Sequence, residues 1–373
     1  VRSRGLGDVY KRQASTVSQA AITITANDFS KVYGNTASGL GYAITAGQLI
    51  GTDAITGLTL TSTGSAATAV VGSYIITPSA ATGISNYNIT YAPGTMTVTA
   101  KPITVTASNV TTTYGTSVTL GSSANFSTPA GALVNGDSIS TVTLAYNSAS
   151  TIPGTLNAGS YSGVIAASAA TGSGLANYTI TYAAGNLVVN QKALTVSLNN
   201  QTKVYDANAF ATLTSGSYTL AGFENSESAT INQTVGTYNS ANVATATTVT
   251  AALTSNNYVA ASGTLLSNYI LPTTASTTVG GGTITAATLT ITADSQAKFI
   301  GQLDPVFTYS YSGLKGADTL ASVAGTVTAG TNRTTAVSIR ATNGTLTSGV
   351  MPAAGSEDGG KTYLGAIVPI ASA

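Results

Sequence analysis

Alternation of apolar and hydroxyl-bearing residues dominates the chain, and it is clearest at Ile22-Thr-Ile-Thr-Ala-Asn-Asp-Phe-Ser-Lys-Val-Tyr-Gly34. A period of two places Ile22 and Ile24 on one face and Thr23 and Thr25 on the other, which predicts a strand with one buried and one solvated side. The pattern returns at Ile103–Gly115, Leu194–Asp206 and Leu289–Gly301. The copies begin roughly 80 to 95 residues apart, a period too long for a solenoid and right for tandem small domains. Each head closes on an aromatic residue and a turn former (Tyr33-Gly34, Tyr114-Gly115, Tyr205-Asp206), a combination that ends a strand; the fourth has Ile300-Gly301.

Further runs follow each head in the same order. In the first repeat these are Leu40–Thr45, the turn Ala46–Asp53, Gly57–Thr61, Gly72–Thr77 and Asn86-Tyr-Asn-Ile-Thr-Tyr-Ala-Pro-Gly-Thr-Met-Thr-Val-Thr99. Within the last of these, Ala92-Pro-Gly94 between two alternating runs is a hairpin signal. The second repeat has the matching turn Gly131–Asp137, then Gly159–Gly163 and Asn177–Val189. The third is a variant with Lys203-Val-Tyr-Asp206, Tyr218–Phe223, Val249–Leu253 and Ser267–Pro272, ending at Gly280–Ala286. The fourth runs through Phe307–Tyr311 and Gly313–Asp318 and has no Asn-Tyr closing run, which reads as truncation. The expected organisation is residues 21–100, 101–191, 192–287 and 288–373, with 1–20 outside the repeats. The fold class is all-β, mostly antiparallel, as an elongated tandem array of about four small modules, β-grasp-like or sandwich-like. Junctions of two or three residues (Lys101-Pro102, Gln191-Lys192-Ala193) favour a semi-rigid string over independent beads.

Val1–Gln13 breaks the pattern. It resembles the in-frame translation of a sequencing adapter, as in a metagenomic fragment, and such a segment is set aside before fold reasoning. Doing so leaves nine basic and eleven acidic residues, so the formal +1 of the chain turns slightly acidic. The electrostatic case for a nucleic-acid partner goes with it. The chain is rich in Thr, Ala, Ser, Gly and Asn, and over its full length 43% of its residues are hydrophobic and 7% charged. That apolar content, arranged in alternating runs, argues for folded β modules over disorder. No apolar run reaches the ~18 residues of a membrane span.

With no His and no Cys, the commonest general base, nucleophile and zinc ligands are missing, so no catalytic, cofactor or metal residues are assigned. Asp53, Asp137 and Asp318 occupy the same place in three repeats. One acid per repeat at a turn points to an Asx-type turn or a capping oxygen, not to a catalytic pair. Glu224 and Glu227 read as a solvated edge, and Glu357-Asp358 lacks the Asp-x-Asp spacing of a calcium loop. Lys31, Lys203 and Lys298 precede the tyrosine position by two residues. A Lys–Asn isopeptide crosslink there would need a well-placed Glu, which the first, second and fourth repeats lack, so a snorkelling lysine on the solvent face is the expectation. Lys101, Lys192 and Pro102 suit the protection of strand edges at the junctions. The 19 tyrosines recur at matched positions. Tyr33, Tyr74, Tyr87 and Tyr91 and their counterparts Tyr114, Tyr161, Tyr178 and Tyr182 are therefore expected in the cores, with hydroxyls at the boundary, before any sugar-stacking role.

The Tyr-Gly heads, the Gly-Asp turns and the Asn-Tyr-x-Ile-Thr-Tyr-x-x-Gly-x-Leu/Met closing runs resemble the MBG (YGX-type) repeats of filamentous-haemagglutinin-like exoproteins. The third repeat, with Lys203-Val-Tyr-Asp206, is similar to the YDG repeat that alternates with them, although Ala207 stands where that repeat has a glycine. The resemblance covers Ala21 to about Gly349. It implies the repeat region of a large secreted or cell-surface adhesin of Gram-negative bacteria, with small antiparallel β modules and an outer-membrane secretion partner. The function expected is non-enzymatic: a stalk that extends a binding region for cell adhesion, with contacts to host or neighbouring surface glycans or proteins. The alternatives are an array of carbohydrate-binding modules and a secreted hydrolase whose catalytic domain lies elsewhere.

Overall fold

The computed structural model describes residues 16–294 and, beyond them, 299, 302, 303, 305, 306, 308–324, 326–328, 338–340 and 370–371. The adapter-like segment 1–13, Lys298, Ile300-Gly301, Phe307 and Glu357-Asp358 lie outside the described residues. Contacts divide the chain into two compact units. One comprises the chain up to Thr112 with Ser117–Gly154 and Ser160–Val188; the other comprises Thr113–Thr116, Thr155–Gly159 and the chain from Val189 on.

In the first repeat the head stretch forms β1 (Ala20–Ala26) and β2 (Phe29–Val32), followed by β3 (Tyr42–Ala46), β4 (Gly57–Thr61), β5 (Gly72–Thr82), β6 (Tyr87–Ala92) and β7 (Gly94–Thr99). Two sheets result, in the orders β3-β1-β6 and β2-β7-β5-β4. The predicted alternation holds: Ile22, Ile24 and Ala26 are buried and the threonines between them are not. Ile22, Ile24, Ile84 and Tyr87 form one core with Ile44, Leu58, Ala81 and Ile89 around it, so strands of both sheets meet there. Ala26, Ile76 and Met96 centre a second core beside it. Each fully buried isoleucine contributes ~1.5–3 kcal/mol by removal from water.

The expected hairpin at Ala92-Pro-Gly94 is not formed. β6 lies in one sheet, parallel to β1 (Ile22 opposite Ile89, Ile24 opposite Tyr91), and β7 lies in the other, parallel to β2 (Phe29 opposite Met96). Two neighbouring strands thus cross together from one sheet to the next, one at Asn27-Asp28 and the other at Pro93-Gly94. The crossing needs close backbone approach. A Cβ on Gly94 would sit 2.3 Å from the Ala26 carbonyl oxygen, so only glycine fits.

The second repeat copies this arrangement. β8 (Lys101–Ala107) runs parallel to Tyr178–Ala183, and β9 (Val110–Thr113) borders Gly185–Asn190 in a five-stranded sheet. The glycine at the crossing, Gly185, would place a Cβ 2.6 Å from the Ala107 carbonyl oxygen. Both long strands carry a bulge at the same place. Thr59 opposes Ser79 while Gly57 opposes Thr82, and Thr143 opposes Ser168 while Thr141 opposes Thr171. The extra residue takes positive φ in each, at Ala80 and Ala169.

In the third repeat Thr195–Leu198 pairs antiparallel with Tyr218–Ala221, and Gln201–Val204 pairs in parallel with Gly282–Thr285. Its core gathers Leu198, Leu213, Tyr218, Ile231, Tyr238, Val249 and Tyr258. In the fourth, Thr288–Ala293 pairs antiparallel with Tyr309–Ser312 around Leu289 and Ile291. The closing strand of each repeat leads almost at once into the next head: β7 ends at Thr99 and β8 begins at Lys101, and Gly185–Asn190 precedes a strand beginning at Lys192. No helix among the described residues is long and apolar enough to cross a membrane.

Candidate functional site

The recurring chemistry lies where repeats join. Each head tyrosine donates its backbone N–H to the last residue of its own repeat's closing strand: Tyr33 to the Thr99 carbonyl, Tyr114 to that of Asn190 and Tyr205 to that of Thr285, at 2.8–2.9 Å. The tyrosine is thereby fixed beside a residue four positions ahead of the following head, which begins at Ile103, Leu194 or Leu289, and its ring meets the next repeat.

What it meets is a four-residue turn ending in an acid. In the first unit the turn is Val134-Asn135-Gly136-Asp137, closed by the Asp137 N–H on the Val134 carbonyl, with Asn135 and Gly136 at positive φ. Tyr178 clamps it: the Val134 N–H donates to the Tyr178 hydroxyl (2.9 Å), and that hydroxyl donates to Asp137 Oδ2 (2.9 Å). Tyr33 donates its own hydroxyl to the same Oδ2 at 2.9 Å. Burial, and then the Asp137 carboxylate beside it, pushes the Tyr178 phenol above its ordinary pKa. At Gly34, with φ of +90°, a Cβ would lie 2.7 Å from Val134 Cγ2. Glycine is required there by both backbone and space. A second contact lies nearby, where Asn177, buried, accepts the Val71 N–H on its Oδ1 at 3.0 Å.

The second unit holds two versions of the same joint. Tyr114 lies edge-on to Tyr269, and Asn225 donates to the Tyr114 hydroxyl at 3.3 Å. The turn is Glu224-Asn225-Ser226-Glu227; the Glu224 N–H donates to the Tyr269 hydroxyl, which donates to Glu227 Oε2. Burial first and the Glu227 carboxylate second raise the Tyr269 phenol far above its ordinary pKa. Asn268, buried, repeats the role of Asn177 by accepting the Ala158 N–H at 2.9 Å. At the third joint the Tyr205 hydroxyl donates to Asp318 Oδ1 at 3.3 Å. Here Ala207 takes the positive φ that a glycine would otherwise supply.

Several expectations are corrected by this geometry. Asp53, Asp137 and Asp318 are acceptors for tyrosine hydroxyls, not Asx-turn or helix-capping oxygens. Glu224 and Glu227 are not a solvated edge, because Glu224 pairs with Lys192 and Glu227 with Tyr269. Lys31 does not snorkel. It is buried, its ammonium donates to the Asn35 and Ala66 carbonyls (2.8 and 2.5 Å), and burial lowers its pKa. Lys203 reaches Asp206, Asn208 and the Phe210 carbonyl within the loop beyond its strand. Tyr33, Tyr87, Tyr114 and Tyr178 are buried as expected, but Tyr91 and Tyr182 are exposed. Their hydroxyls accept the N–H groups of Ala81 and Ala170 beside the two bulges, at 2.8 Å each. Lys101 and Lys192 lie on strands paired to Tyr178–Ala183 and Tyr269–Ile270, and Lys101 sends its ammonium to the Gly131 carbonyl.

A signal for the joint was present in the sequence: the turn acid, the head tyrosine and the Asn-Tyr pair recur together, and Lys31 shares the period-two face of Phe29 and Tyr33. Among the described residues, no group of His, Cys, Asp and Glu could hold a metal ion.

No curated protein and no solved structure matches the chain. Among protein families, the MBG domain (YGX type) matches residues 22–97, 103–188 and 289–349, and the YDG domain matches residues 190–279. Both are non-catalytic repeat domains of adhesin-like proteins. The chain therefore belongs to the MBG domain (YGX type) family, with a YDG domain between its second and third MBG repeats.

Proposed function

We propose that the chain is a non-enzymatic stalk region of a large secreted or surface-bound bacterial adhesin, carrying a binding region away from the cell. Its modules are taken as residues 21–100, 101–191, 192–287 and 288–373. The observation that carries this reading is one joint repeated at successive junctions: the head tyrosine hydroxyl is hydrogen-bonded to the acid-ending turn of the next repeat, to Asp137 at the first, Asn225 at the second and Asp318 at the third. A junction of one or two residues with a hydrogen-bonded tyrosine across it restrains the angle between neighbours, which is what a spacer needs and a catalyst does not. Extracellular placement rests on the family's adhesin-like proteins, as do an outer-membrane secretion partner and contacts with surface glycans or proteins.

Small-angle scattering on residues 14–373 tests the proposal. A maximum dimension close to the summed length of the modules is the expected result. A compact particle would remove the spacer role.

A second reading, an array of carbohydrate-binding modules, draws support from Tyr91 and Tyr182, each 36% exposed at matched positions. Binding to a glycan panel that is lost in the Tyr91→Ala, Tyr182→Ala double variant would favour it.

A further inference from the structure

The first repeat carries the receiving half of the joint, and no head tyrosine among the described residues is hydrogen-bonded to it. Its turn is Ile50-Gly51-Thr52-Asp53, closed by the Asp53 N–H on the Ile50 carbonyl, with Gly51 at positive φ. The clamp is complete: the Ile50 N–H donates to the Tyr87 hydroxyl at 2.7 Å, and that hydroxyl donates to Asp53 Oδ2 at 2.8 Å. These are the bonds that Tyr178 makes with Val134 and Asp137. At Asp137 the same carboxylate oxygen takes a second hydroxyl, from Tyr33. Among the described residues Asp53 takes one, from Tyr87.

Three differences in burial fall at this one place. Ile50 is 62% exposed, whereas its counterpart Val134 is half-buried. Asp53 is exposed, whereas Asp137 is half-buried. Asn86 is exposed with no side-chain partner among the described residues, whereas Asn177 and Asn268 are buried and accept an N–H from the Val71 and Ala158 loops. An apolar side chain, a carboxylate with a free acceptor position and an amide oxygen are thus presented together, in the arrangement that is covered by a Tyr-Gly corner and its neighbouring loop in the second repeat.

We propose that the Ile50–Asp53 turn, Tyr87 and Asn86 form a docking face for the Tyr-Gly corner of one further repeat of the same kind, joined ahead of Ala20 as the first repeat is joined ahead of Lys101. The head tyrosine of that repeat donates its hydroxyl to Asp53, its glycine lies over Ile50, and the loop before its long strand gives an N–H to Asn86. The fourth repeat of this chain is not the occupant, because it has Ile300 where the donor tyrosine stands in the other three. The inference concerns how repeats join and does not depend on the stalk reading.

The chain has no cysteine, so engineered disulfides report the contact against a clean background. A second copy of residues 20–100 is inserted between Gln19 and Ala20, leaving the rest of the chain unchanged. Gly34→Cys in the inserted copy is paired with Ile50→Cys in the resident repeat. The benchmark is Gly34→Cys with Val134→Cys in the unextended chain, where the Cβ positions are 3.4 Å apart, close to the ~3.5–4.5 Å span of disulfides. Should the strained Gly34→Cys disturb folding by circular dichroism, Ala67→Cys with Gly51→Cys replaces it. Its benchmark is Ala67→Cys with Asn135→Cys, after the 3.0 Å bond from Asn135 to the Ala67 carbonyl.

The expected result is an intramolecular disulfide formed as fast as the benchmark, and several-fold more slowly when the inserted copy also carries Tyr33→Phe. A benchmark that closes while the new pair stays reduced overturns the proposal. Crosslinks between separate chains overturn it too, by assigning the face to a second copy.

Discussion

Tyr33 and Tyr178 stand edge to face, ring centroids 5.6 Å apart at 80°, and give their hydroxyls to the same carboxylate oxygen of Asp137. Tyr33 comes from the head of the first repeat, Tyr178 from the Asn-Tyr strand of the second, and both are at least nine-tenths buried. Asp137→Ala leaves two buried hydroxyls without their acceptor, so a loss of about 2–4 kcal/mol in unfolding free energy is expected from two hydrogen bonds to a charged group. Urea denaturation measures it. Asp53→Ala should cost clearly less, since Asp53 is exposed and takes one hydroxyl among the described residues. Equal losses for the two would show that the joint adds nothing.

Lys31 gives a second test. Its ammonium holds the Asn35 and Ala66 carbonyls from a site 7% exposed. Lys31→Met keeps the apolar stem and removes the donor, leaving carbonyls to find other partners. A loss of roughly 1–3 kcal/mol follows. A lysine on the solvent face would give a change within ~0.5 kcal/mol, and a value that small would contradict the buried ammonium.

Much of this fold could be read from residues close in sequence. The alternation at Ile22-Thr-Ile-Thr placed β1 and its buried face, and the Tyr-Gly pairs marked the strand ends. Pairing partners were not legible, because β1 and β6 associate across more than sixty residues and parallel pairing leaves no local turn to announce it. Pro93-Gly94 therefore read as a hairpin when it is a crossing between sheets. Tyr91 and Tyr182 misled for a related reason. They alternate correctly with their neighbours, but each hydroxyl is taken up by a bulge on another strand, and the ring stays partly in water. The joint is not legible locally because its bonds run between repeats, whereas an acid at a turn points by sequence only to its own turn.

The crossing glycines make the third prediction. A methyl group on Gly94 meets the Ala26 carbonyl oxygen at 2.3 Å, and one on Gly185 meets that of Ala107 at 2.6 Å. Neither neighbour is the end of a flexible side chain, so the strands themselves must separate. Gly94→Ala and Gly185→Ala are each expected to cost about 1–3 kcal/mol, as overpacking does. Gly216→Ala tests the backbone term alone, since φ there, as at Gly94 and Gly185, is outside the left-handed region and an added Cβ meets only Thr214 Oγ1 at 3.8 Å. If the crossing variants lose no more than Gly216→Ala, close approach is not what glycine provides there.

The last prediction concerns alkaline pH. The phenols of Tyr87, Tyr178, Tyr205, Tyr218, Tyr238, Tyr258 and Tyr269 are all held above their ordinary value, first by burial and, for Tyr87, Tyr178, Tyr205 and Tyr269, next by a hydrogen-bonded carboxylate. A phenol harder to ionise in the folded state than in the unfolded chain stabilises the fold fully below the unfolded pKa of about 10 and loses that contribution as pH rises through the folded pKa. Above pH ~10 the unfolded chain ionises first, and each such tyrosine removes stability with rising pH until its folded form ionises too. Stability should therefore be level from about pH 8 to 9.5 and fall steeply beyond, as read from urea midpoints along the series. Tyr269→Phe removes one contributor, the one most strongly raised, so its curve should start lower and fall less steeply above pH ~10. Parallel curves for the two proteins would mean that the Tyr269 phenol is raised neither by burial nor by Glu227.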